Sequence, residues 1–468
     1  MIGLGVALRL WGWSNWSLWM DETMQVDYAR RGLRGLFRTV VWDGNNPPLD
    51  YLVTYLVHQI SESDAMYRLP SLLWSIGTMA GLFARMGGRG AWPASIGAAA
   101  TFAFLPLAIH YGQEVRPYAL GLFLVASADA ARAAFVRTAE GRRRRWLFIY
   151  LLAAVAAAYT LHIALVALAT IWLAELISAW HGRAKDPIRL KAAILVPALT
   201  VIAFLPWLWA IRERFGRVDE MSAPAITSAV VQNLLVALAA SFREDPIGRG
   251  LAAALVWSLA LAGLRFASGE ERARIGLEFL GSGVAVLALL SWQNHWWSLR
   301  YVIFVLLPLS RAVGHAIGGI VSLVPTRLAP WGTAVLVSLV LFAELPAIRE
   351  NAAQGRPDWR RPAEYLDFEF RHGRGGAILP IDGWTYFVLR FQTLRLDPPI
   401  GCEVIADNLP ALRQLLTSAR SGWLVRTPHH PVQAGVDGFL KKSRPWGVFR
   451  EAEDATVYRF EDGRLVDP

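Results

Sequence analysis

Residues 146–180, WLFIYLLAAVAAAYTLHIALVALATIWLAELISAW, decide the fold of this chain. An α-helix rises 1.5 Å per residue, so about 20 apolar residues are enough to cross the hydrocarbon core of a bilayer. A single helix over 35 residues would be too long for any membrane. We therefore expect two membrane spans here, 146–161 and 163–180, divided at Thr160, Leu161 and His162.

Other apolar runs of this length lie between Arg, Gly and Pro residues along the first 350 positions. They predict eight further spans, at 69–85, 91–109, 117–136, 191–211, 247–265, 273–292, 301–320 and 331–349. An eleventh span is expected at the start, although only Ile2 to Leu8 is apolar before Arg9. Either the chain begins upstream of Met1, or this helix continues through a Trp-rich belt to about Leu18.

The composition agrees with a membrane protein, with 54% hydrophobic and 18% charged residues, and excludes the three soluble domains expected for 468 residues. Residues 351–468 hold 16 basic and 15 acidic side chains, so the excess positive charge lies in residues 1–350. We therefore predict a mainly α polytopic bundle over 1–350 and a soluble α/β domain over 351–468. The pI near 10 reflects membrane topology rather than binding to nucleic acid.

Successive loops alternate between the two sides of the membrane. Lys and Arg are nearly threefold denser in one set, which includes 137–146, than in the other set, which includes 20–68. The basic set is therefore predicted to be cytoplasmic. With eleven spans and a cytoplasmic start, the loop 20–68 and the C-terminal domain share the outer face of the plasma (inner) membrane. Within that loop, residues 49–60 predict a helix on the membrane surface, because twelve residues are too few to cross it.

In the soluble domain the pattern predicts helices at 359–372, 384–391 and 408–419, and strands at 377–381, 402–406 and 422–426. The one cysteine, Cys402, excludes an intrachain disulfide and a cysteine-based metal cage.

Two adjacent carboxylates, Asp21 and Glu22, follow the first span at the membrane boundary. They are either an ordinary solvated helix end or a general base for a reaction at the outer surface. Binding of a divalent cation by either carboxylate is a further interpretation. Arg68 begins the next span on the outer face, against the distribution of positive charge.

The short outer loop 110–118 concentrates polar groups in His110, Glu114, Arg116 and Tyr118. Charge compensation between Glu114 and Arg116 is the structural interpretation, and substrate binding is the functional one. Arg300 lies in a similar aromatic loop, 293–301. His162 either faces a cavity or makes a satisfied polar contact inside its apolar block.

The outer loops between spans 1 and 2, 3 and 4, and 9 and 10 each carry an arginine, and the first two also carry carboxylates. Arg binds phosphate oxygens in a bidentate manner, and a carboxylate accepts a proton from an attacking hydroxyl. Together the loops favour a phosphate-bearing lipid substrate.

The order of these motifs resembles the GT-C glycosyltransferases of the protein O-mannosyltransferase and aminoarabinose-transferase type, over residues 1 to about 365. The matching motifs are Trp19-x-Asp21-Glu22, Asn46-Pro47-Pro48-Leu49, Arg68-Leu69-Pro70-Ser71, Gln113-Glu114-x-Arg116-Pro117-Tyr118, Arg300-Tyr301 and Asp358-Trp359-Arg360.

The resemblance implies a multi-span enzyme that takes a sugar from a polyprenyl-phosphate carrier on the outer face. It further implies that Asp21 is the catalytic base and that Glu114 and Arg116 line the same cavity. The sequence departs from the family at Asn46, where many relatives have His, and in its short first span. The acceptor would be a hydroxyl of a lipid, a protein or a glycan.

In the expected mechanism Arg68, Arg116 and Arg300 stabilise the departing phosphate, and direct displacement inverts the anomeric centre. The alternative is a polytopic transporter or lipid flippase, in which the same groups would form a vestibule. Transporters usually place ionisable groups near the midplane of paired, broken spans, whereas here they cluster at span ends. A structural or sensor protein whose soluble domain binds a partner is a third interpretation.

Overall fold

The computed structural model describes residues 2–182, 186–214, 227–241, 244–288, 298–354, 357–402, 409–427, 434–452, 454–462 and 464–468. The chain forms two compact units. The helical unit comprises Met1–Trp13 and Arg31–Gln354, and the mixed unit comprises Ser14–Arg30 and Gly355–Pro468. Residues 14–30, which the sequence places with the membrane part, thus belong to the mixed unit.

Helices dominate the described residues. In chain order they are α1 (Ile2–Leu10), α2 (Met20–Arg30), α3 (Gly32–Asp43), α4 (Leu49–His58), α5 (Asp64–Arg85), α6 (Trp92–Phe104), α7 (Pro106–Tyr111), α8 (Tyr118–Arg137), α9 (Glu140–Ala158), α10 (His162–His181), α11 (Pro187–Ala210), α12 (Ser228–Ala240), α13 (Pro246–Phe266), α14 (Gly269–Leu280), α15 (Leu306–Ser322), α16 (Ala329–Gln354), α17 (Arg360–Arg371), α18 (Gly383–Thr393), α19 (Leu409–Ala419) and α20 (Ala434–Leu440). A π-helix, Gly281–Ala285, follows α14, and a 3₁₀ helix, Leu299–Val305, precedes α15.

Within the described residues, six helical segments are long and apolar enough to cross a membrane. They are Tyr118–Arg137, His162–His181, Pro187–Ala210, Pro246–Phe266, Leu299–Ser322 and Thr326–Ala353. The predicted total of eleven spans is therefore not confirmed. The division of 146–180 is confirmed, because α9 ends at Ala158 and α10 begins at His162.

Several predicted elements differ from the observed ones. The first helix ends at Leu10, and Gly12 has a left-handed φ of 76°, so the predicted extension to Leu18 is wrong. The predicted span 91–109 is interrupted, since Pro106 has no N–H to continue α6. The predicted helix over 49–60 is confirmed as α4. The last residues of the predicted span 273–292 lie outside the described part.

Helices α6 and α15 pack closely against each other. A Cβ atom added at Gly314 would lie 2.6 Å from the carbonyl oxygen of Ala94 and 2.8 Å from Cβ of Ala98. Gly318, one turn further along α15, meets Ala94 at a similar distance. These glycines let the two backbones approach, which is how small residues pack helices where lipid supplies no hydrophobic driving force.

A largely buried network of five arginines and five carboxylates, with Glu270 at its exposed edge, joins α5, α8, α10, α11, α14 and α15. Its members are Arg85, Asp129, Arg132, Glu175, Arg189, Glu270, Glu271, Arg274, Glu278 and Arg311. Arg311 Nη1 lies 2.8 Å from both Asp129 and Glu278, and Arg274 Nη2 lies 2.9 Å from Glu175. The formal charges cancel, as burial in a low-dielectric interior requires.

The mixed unit contains a five-stranded sheet formed by β1 (Ala377–Pro380), β2 (Ser421–Arg426), β3 (Gly447–Phe449), β4 (Ala455–Glu461) and β5 (Arg464–Val466). The order is β1-β2-β4-β3, with β5 paired to β4, and only β1 and β2 run parallel. Trp423 and Val425 bury one face of β2 and Leu424 the other, since strand side chains alternate.

The predicted strands at 377–381 and 422–426 and the helices at 359–372 and 384–391 are confirmed within a few residues. Most of the predicted strand 402–406 lies outside the described residues, although Cys402 makes a parallel bridge to Ile378. The pattern did not predict α20, β3, β4 or β5.

Candidate active site

Asp21 and Glu22 lie in the first turn of α2, in the mixed unit. Glu22 is fully buried, and its Oε2 accepts a hydrogen bond from the backbone N–H of Trp19 at 3.2 Å. This is the reach-back contact of a capping box, in which a Glu near the helix start satisfies an N–H that has no partner in the helix. Asp21 is partly exposed. The two neighbouring carboxylates therefore have different surroundings: Glu22 holds the helix start, and Asp21 is accessible.

The motif Asp358-Trp359-Arg360 holds the chain just before α2. The hydroxyl of Ser17 accepts from the backbone N–H of Trp359 at 2.9 Å and donates to the carbonyl of Pro357 at 3.0 Å. Arg360 pairs with Asp358 at 2.7 Å and also donates to the carbonyl of Asn15. The structure thus places two sequence motifs, more than 330 residues apart, side by side in one unit.

Helix α2 also packs along α18 in this unit. The rings of Trp19 and Trp384 lie 6.1 Å apart, and Arg390 Nη1 lies 3.3 Å from Asp27. The guanidinium of Arg30 lies over the ring of Phe391. The position of Asp21 is therefore fixed by contacts at both ends of its helix.

Glu114, the third carboxylate among the predicted site residues, lies in the loop between α7 and α8. Glu114 is only 2% exposed, and its backbone carbonyl accepts from the hydroxyl of Ser71 at 2.5 Å. The backbone N–H of Arg116 donates to that same carbonyl at 2.8 Å, which tightens the turn. The Arg116 guanidinium lies 6.0 Å from the ring centre of Tyr118. These contacts hold the backbone of the loop, and the pairing between the Glu114 and Arg116 side chains stays a prediction.

Two further predicted residues adjoin this loop. Arg68 is 1% exposed and donates to the carbonyl of Trp13 at 3.1 Å. It lies one turn before Ser71, the residue that bonds to the loop. Nδ1 of His110, at the end of α7, lies 3.0 Å from Oδ1 of Asn351. The structure thus brings together Arg68, His110, Glu114, Arg116 and Tyr118 within the helical unit.

Arg300 is the second residue of the 3₁₀ helix Leu299–Val305, which packs on α8. Its guanidinium lies 5.3 Å from the ring centre of Tyr301. One turn later, the ring of Phe304 approaches Gly121, where an added Cβ would meet it at 3.3 Å. Gly121 lies in the first turn of α8, directly after the loop, so the 3₁₀ helix that carries Arg300 contacts this end of α8 through Phe304. Residues 293–297 of its predicted aromatic loop lie outside the described residues.

His162 makes satisfied polar contacts away from the loop motifs. Its Nδ1 lies 3.1 Å from the carbonyl of Asn45, and its Nε2 lies 3.1 Å from Nε1 of Trp207. Since Trp Nε1 only donates and a carbonyl only accepts, both contacts are satisfied by the tautomer with the proton on Nδ1. His162 therefore holds the Asn-Pro-Pro segment to α10 and α11. This geometry favours the structural interpretation over a role in substrate binding.

Sequence reasoning missed the partners that hold the loop. Gln113 Nε2 donates to the backbone carbonyls of Arg9 at 2.8 Å and Trp11 at 3.1 Å. Arg9, which the pattern treats only as the end of an apolar run, is fully buried. Sequence reasoning also missed the ion network, although Asp129, Glu175 and Arg311 are ionisable residues inside predicted spans, which is the signal that identifies such groups. In the described ranges, no group of three His, Cys, Asp or Glu side chains could hold a metal ion.

The fold has known counterparts. No family model matches the sequence, and no curated protein matches it. The crystal structure of ArnT from Cupriavidus metallidurans in the apo state has a TM-score of 0.61 at 13% identity, covering 98% of this chain and 97% of that one. The ArnT structure bound to undecaprenyl phosphate gives 0.60 at the same identity and coverage. The Archaeoglobus fulgidus oligosaccharyltransferase in the apo form gives 0.53 at 13% identity, covering 91% of this chain and 68% of that one.

The chain therefore shares the fold of the ArnT and oligosaccharyltransferase structures. The resemblance predicted from the loop motifs is confirmed at the level of the fold. In this fold Asp21 and Glu22 belong to the mixed unit, and Arg68, Glu114, Arg116 and Arg300 belong to the helical unit.

Proposed function

We propose that this protein is a membrane glycosyltransferase that transfers a sugar from a polyprenyl-phosphate donor to an acceptor hydroxyl on the outer face of the membrane, with inversion. The observation that carries the proposal is the buried loop of Glu114 and Arg116, held to the helix of Arg68 in a GT-C fold. Support for the donor class comes from ArnT, whose structure holds undecaprenyl phosphate.

Each residue in the proposal has a chemical task. The acceptor oxygen forms a bond to the anomeric carbon as the bond from that carbon to the phosphate oxygen breaks. Asp21 takes the proton of the acceptor hydroxyl, and the lipid phosphate leaves as an anion. Arg68, Arg116 and Arg300 stabilise that anion, because guanidinium groups match phosphate oxygens in geometry and charge. A single displacement inverts the configuration at the anomeric carbon.

The two carboxylates of α2 have separate roles in this mechanism. Asp21 is accessible, whereas the buried Glu22 accepts from the backbone N–H of Trp19. Glu22 thus orients the helix turn that carries the base. The acceptor is a hydroxyl of a lipid, a protein or a glycan, and the sugar is a hexose or a pentose.

Replacement of Asp21 tests the assignment of the base. Asp21→Asn keeps size and hydrogen bonding but accepts no proton, so we expect transfer to fall by about 10²–10⁴ with donor binding retained. Transfer from radiolabelled polyprenyl-phosphate sugars to a panel of acceptors, in proteoliposomes, measures it. The matched control is Asp367→Asn, which changes a carboxylate on α17 that pairs with Arg371 and takes no part in holding α2. Near wild-type transfer by Asp21→Asn, or loss of activity in Glu22→Gln alone, would show that the base is misassigned.

The outer location is tested by topology. A reporter that is active only outside the cytoplasm, fused after Pro468, should be active. The basic loops predict a cytoplasmic start, and the apolar runs predict eleven spans, an odd number that ends outside. A cytoplasmic reporter fused at the same position should be silent. Activity of the cytoplasmic reporter instead would reverse the proposed sidedness of the reaction.

A further inference from the structure

Arg9 is a buried cation with an unusual set of partners. Its side chain is fully buried in the helical unit. No carboxylate of the described residues lies within 4.0 Å of it, in contrast to the arginines of the ion network. A buried charge of this kind costs several kcal/mol unless polar groups compensate it. Its retention therefore needs a reason.

The compensation comes from the end of a broken helix. Arg9 Nη1 donates to the carbonyl of Ala103 at 3.0 Å, and Nη2 donates to that of Phe102 at 3.3 Å. Helix α6 ends at Phe104, and Pro106 has no N–H to donate to the carbonyl of Phe102. The last carbonyls of a helix also form the negative end of its dipole. Arg9 thus satisfies both the hydrogen bonds and the charge of the break between α6 and α7.

Arg9 is also linked to α7 and to the loop that follows it. Its Nε donates at 2.7 Å to the hydroxyl of Ser75, which lies 3.4 Å from the carbonyl of Ala108. Its backbone carbonyl accepts from Nε2 of Gln113 at 2.8 Å. At Gly112, an added Cβ would lie 2.8 Å from the Ser75 hydroxyl, so the loop begins in close contact with this group. The side chain of Arg9 therefore helps to hold α7, and its backbone carbonyl holds Gln113 in the loop that follows.

We propose that Arg9 is a positioning residue that fixes the loop 112–117 for the donor phosphate. This inference rests on the proposed function, because Arg116 in that loop is assigned to the phosphate. Arg suits the task, since its planar fork of five donors bonds several acceptors at once, whereas Lys is a point charge with three donors. A shift of about 1 Å in such a loop can cost 10²-fold in rate.

The test uses the full-length protein in proteoliposomes with Arg9→Lys and Gln113→Ala. Both variants should raise the KM for the polyprenyl-phosphate sugar about 10-fold and leave the KM for the acceptor unchanged. General destabilisation would lower kcat through the active fraction and would not separate the two KM values. Gln113→Ala leaves Arg9 in place, so it reports on the loop even if substitutions at Arg9 impair folding.

Hydrogen–deuterium exchange gives a readout that needs no activity. Amides of residues 112–118 should exchange at least about 10-fold faster in both variants, with the peptides of α10 and α13 unchanged. The matched control is Thr101→Val, because the hydroxyl of this buried residue of α6 bonds only within its own helix, to the carbonyl of Gly97. The control should leave both loop exchange and donor KM at wild-type values.

The outcomes separate this inference from the proposed function. If the wild type transfers sugar and Asp21→Asn does not, but Arg9→Lys and Gln113→Ala keep wild-type donor KM and loop exchange, Arg9 has no positioning role and the function stands. If the wild type transfers no sugar from any polyprenyl-phosphate donor, the proposed function fails. Faster loop exchange would then still support the structural link from Arg9, and unchanged exchange would overturn it.

Discussion

Removal of Arg311 should destabilise the helical unit strongly. Its guanidinium is 1% exposed and lies 2.8 Å from each of Asp129 and Glu278. Arg311→Met keeps the apolar stem but leaves the buried Glu278 without its cation, whereas Asp129 keeps Arg85 and Arg132. Breaking a buried pair in this way costs about 3–5 kcal/mol. In a chain of this size, where each kcal/mol shifts Tm by roughly 2 °C, we expect a fall of about 6–10 °C.

Thermal unfolding in detergent, followed by size-exclusion chromatography, measures this effect. The matched control is Arg327→Met, which removes an exposed arginine and should change stability by less than about 0.5 kcal/mol. Adding Glu278→Gln to Arg311→Met removes the charge that lost its cation and should recover part of the loss. A Tm shift below about 2 °C for Arg311→Met, or a further drop in the double variant, would refute the reasoning.

Two further predictions concern packing and reactivity. Gly314→Leu should prevent folding of the helical unit, because an added Cβ already lies 2.6 Å from the carbonyl of Ala94. Gly276→Leu is the control and should be tolerated, because an added Cβ there has no atom within 4 Å. The yield of monodisperse protein measures both effects. Burial raises the pKa of the Cys402 thiol to about 11, so about 0.1% of it is thiolate at pH 8. Maleimide should therefore label Cys402 only after denaturation. Rapid labelling of the native protein would contradict its burial.

Much of the helical architecture could be predicted because lipid imposes a simple rule on sequence. The division at Thr160 and the helix after Pro48 follow from length and apolar content alone. The break at Pro106 was missed, because apolar content runs through it without interruption. The end of the first helix at Leu10 was also missed, since Trp residues are compatible with both a helix and an interfacial turn.

The candidate site was predictable as residue types but not as contacts. Motif order selected Asp21, Arg116 and the other loop residues as candidates, because the family resemblance is carried by those side chains, and their roles stay predictions. The contact between Ser17 and Trp359 joins distant parts of the chain and has no local signal. His162 is the instructive case, since a polar residue in an apolar block predicts either a ligand or a satisfied contact, and only its two neighbours decide.

The partners of the ion network become available one after another during synthesis. Arg85 emerges from the ribosome first, followed by Asp129 and Arg132, which pair within α8 and can enter the bilayer as a nearly neutral unit. Glu175 next gains Arg132 as a partner. Arg311 reaches Asp129 only 182 residues later. Until α15 is inserted, Glu278 lacks this cation. A chain that ends before α15 therefore carries one unpaired negative charge in the network, and neutrality is reached only when the helical unit is nearly complete.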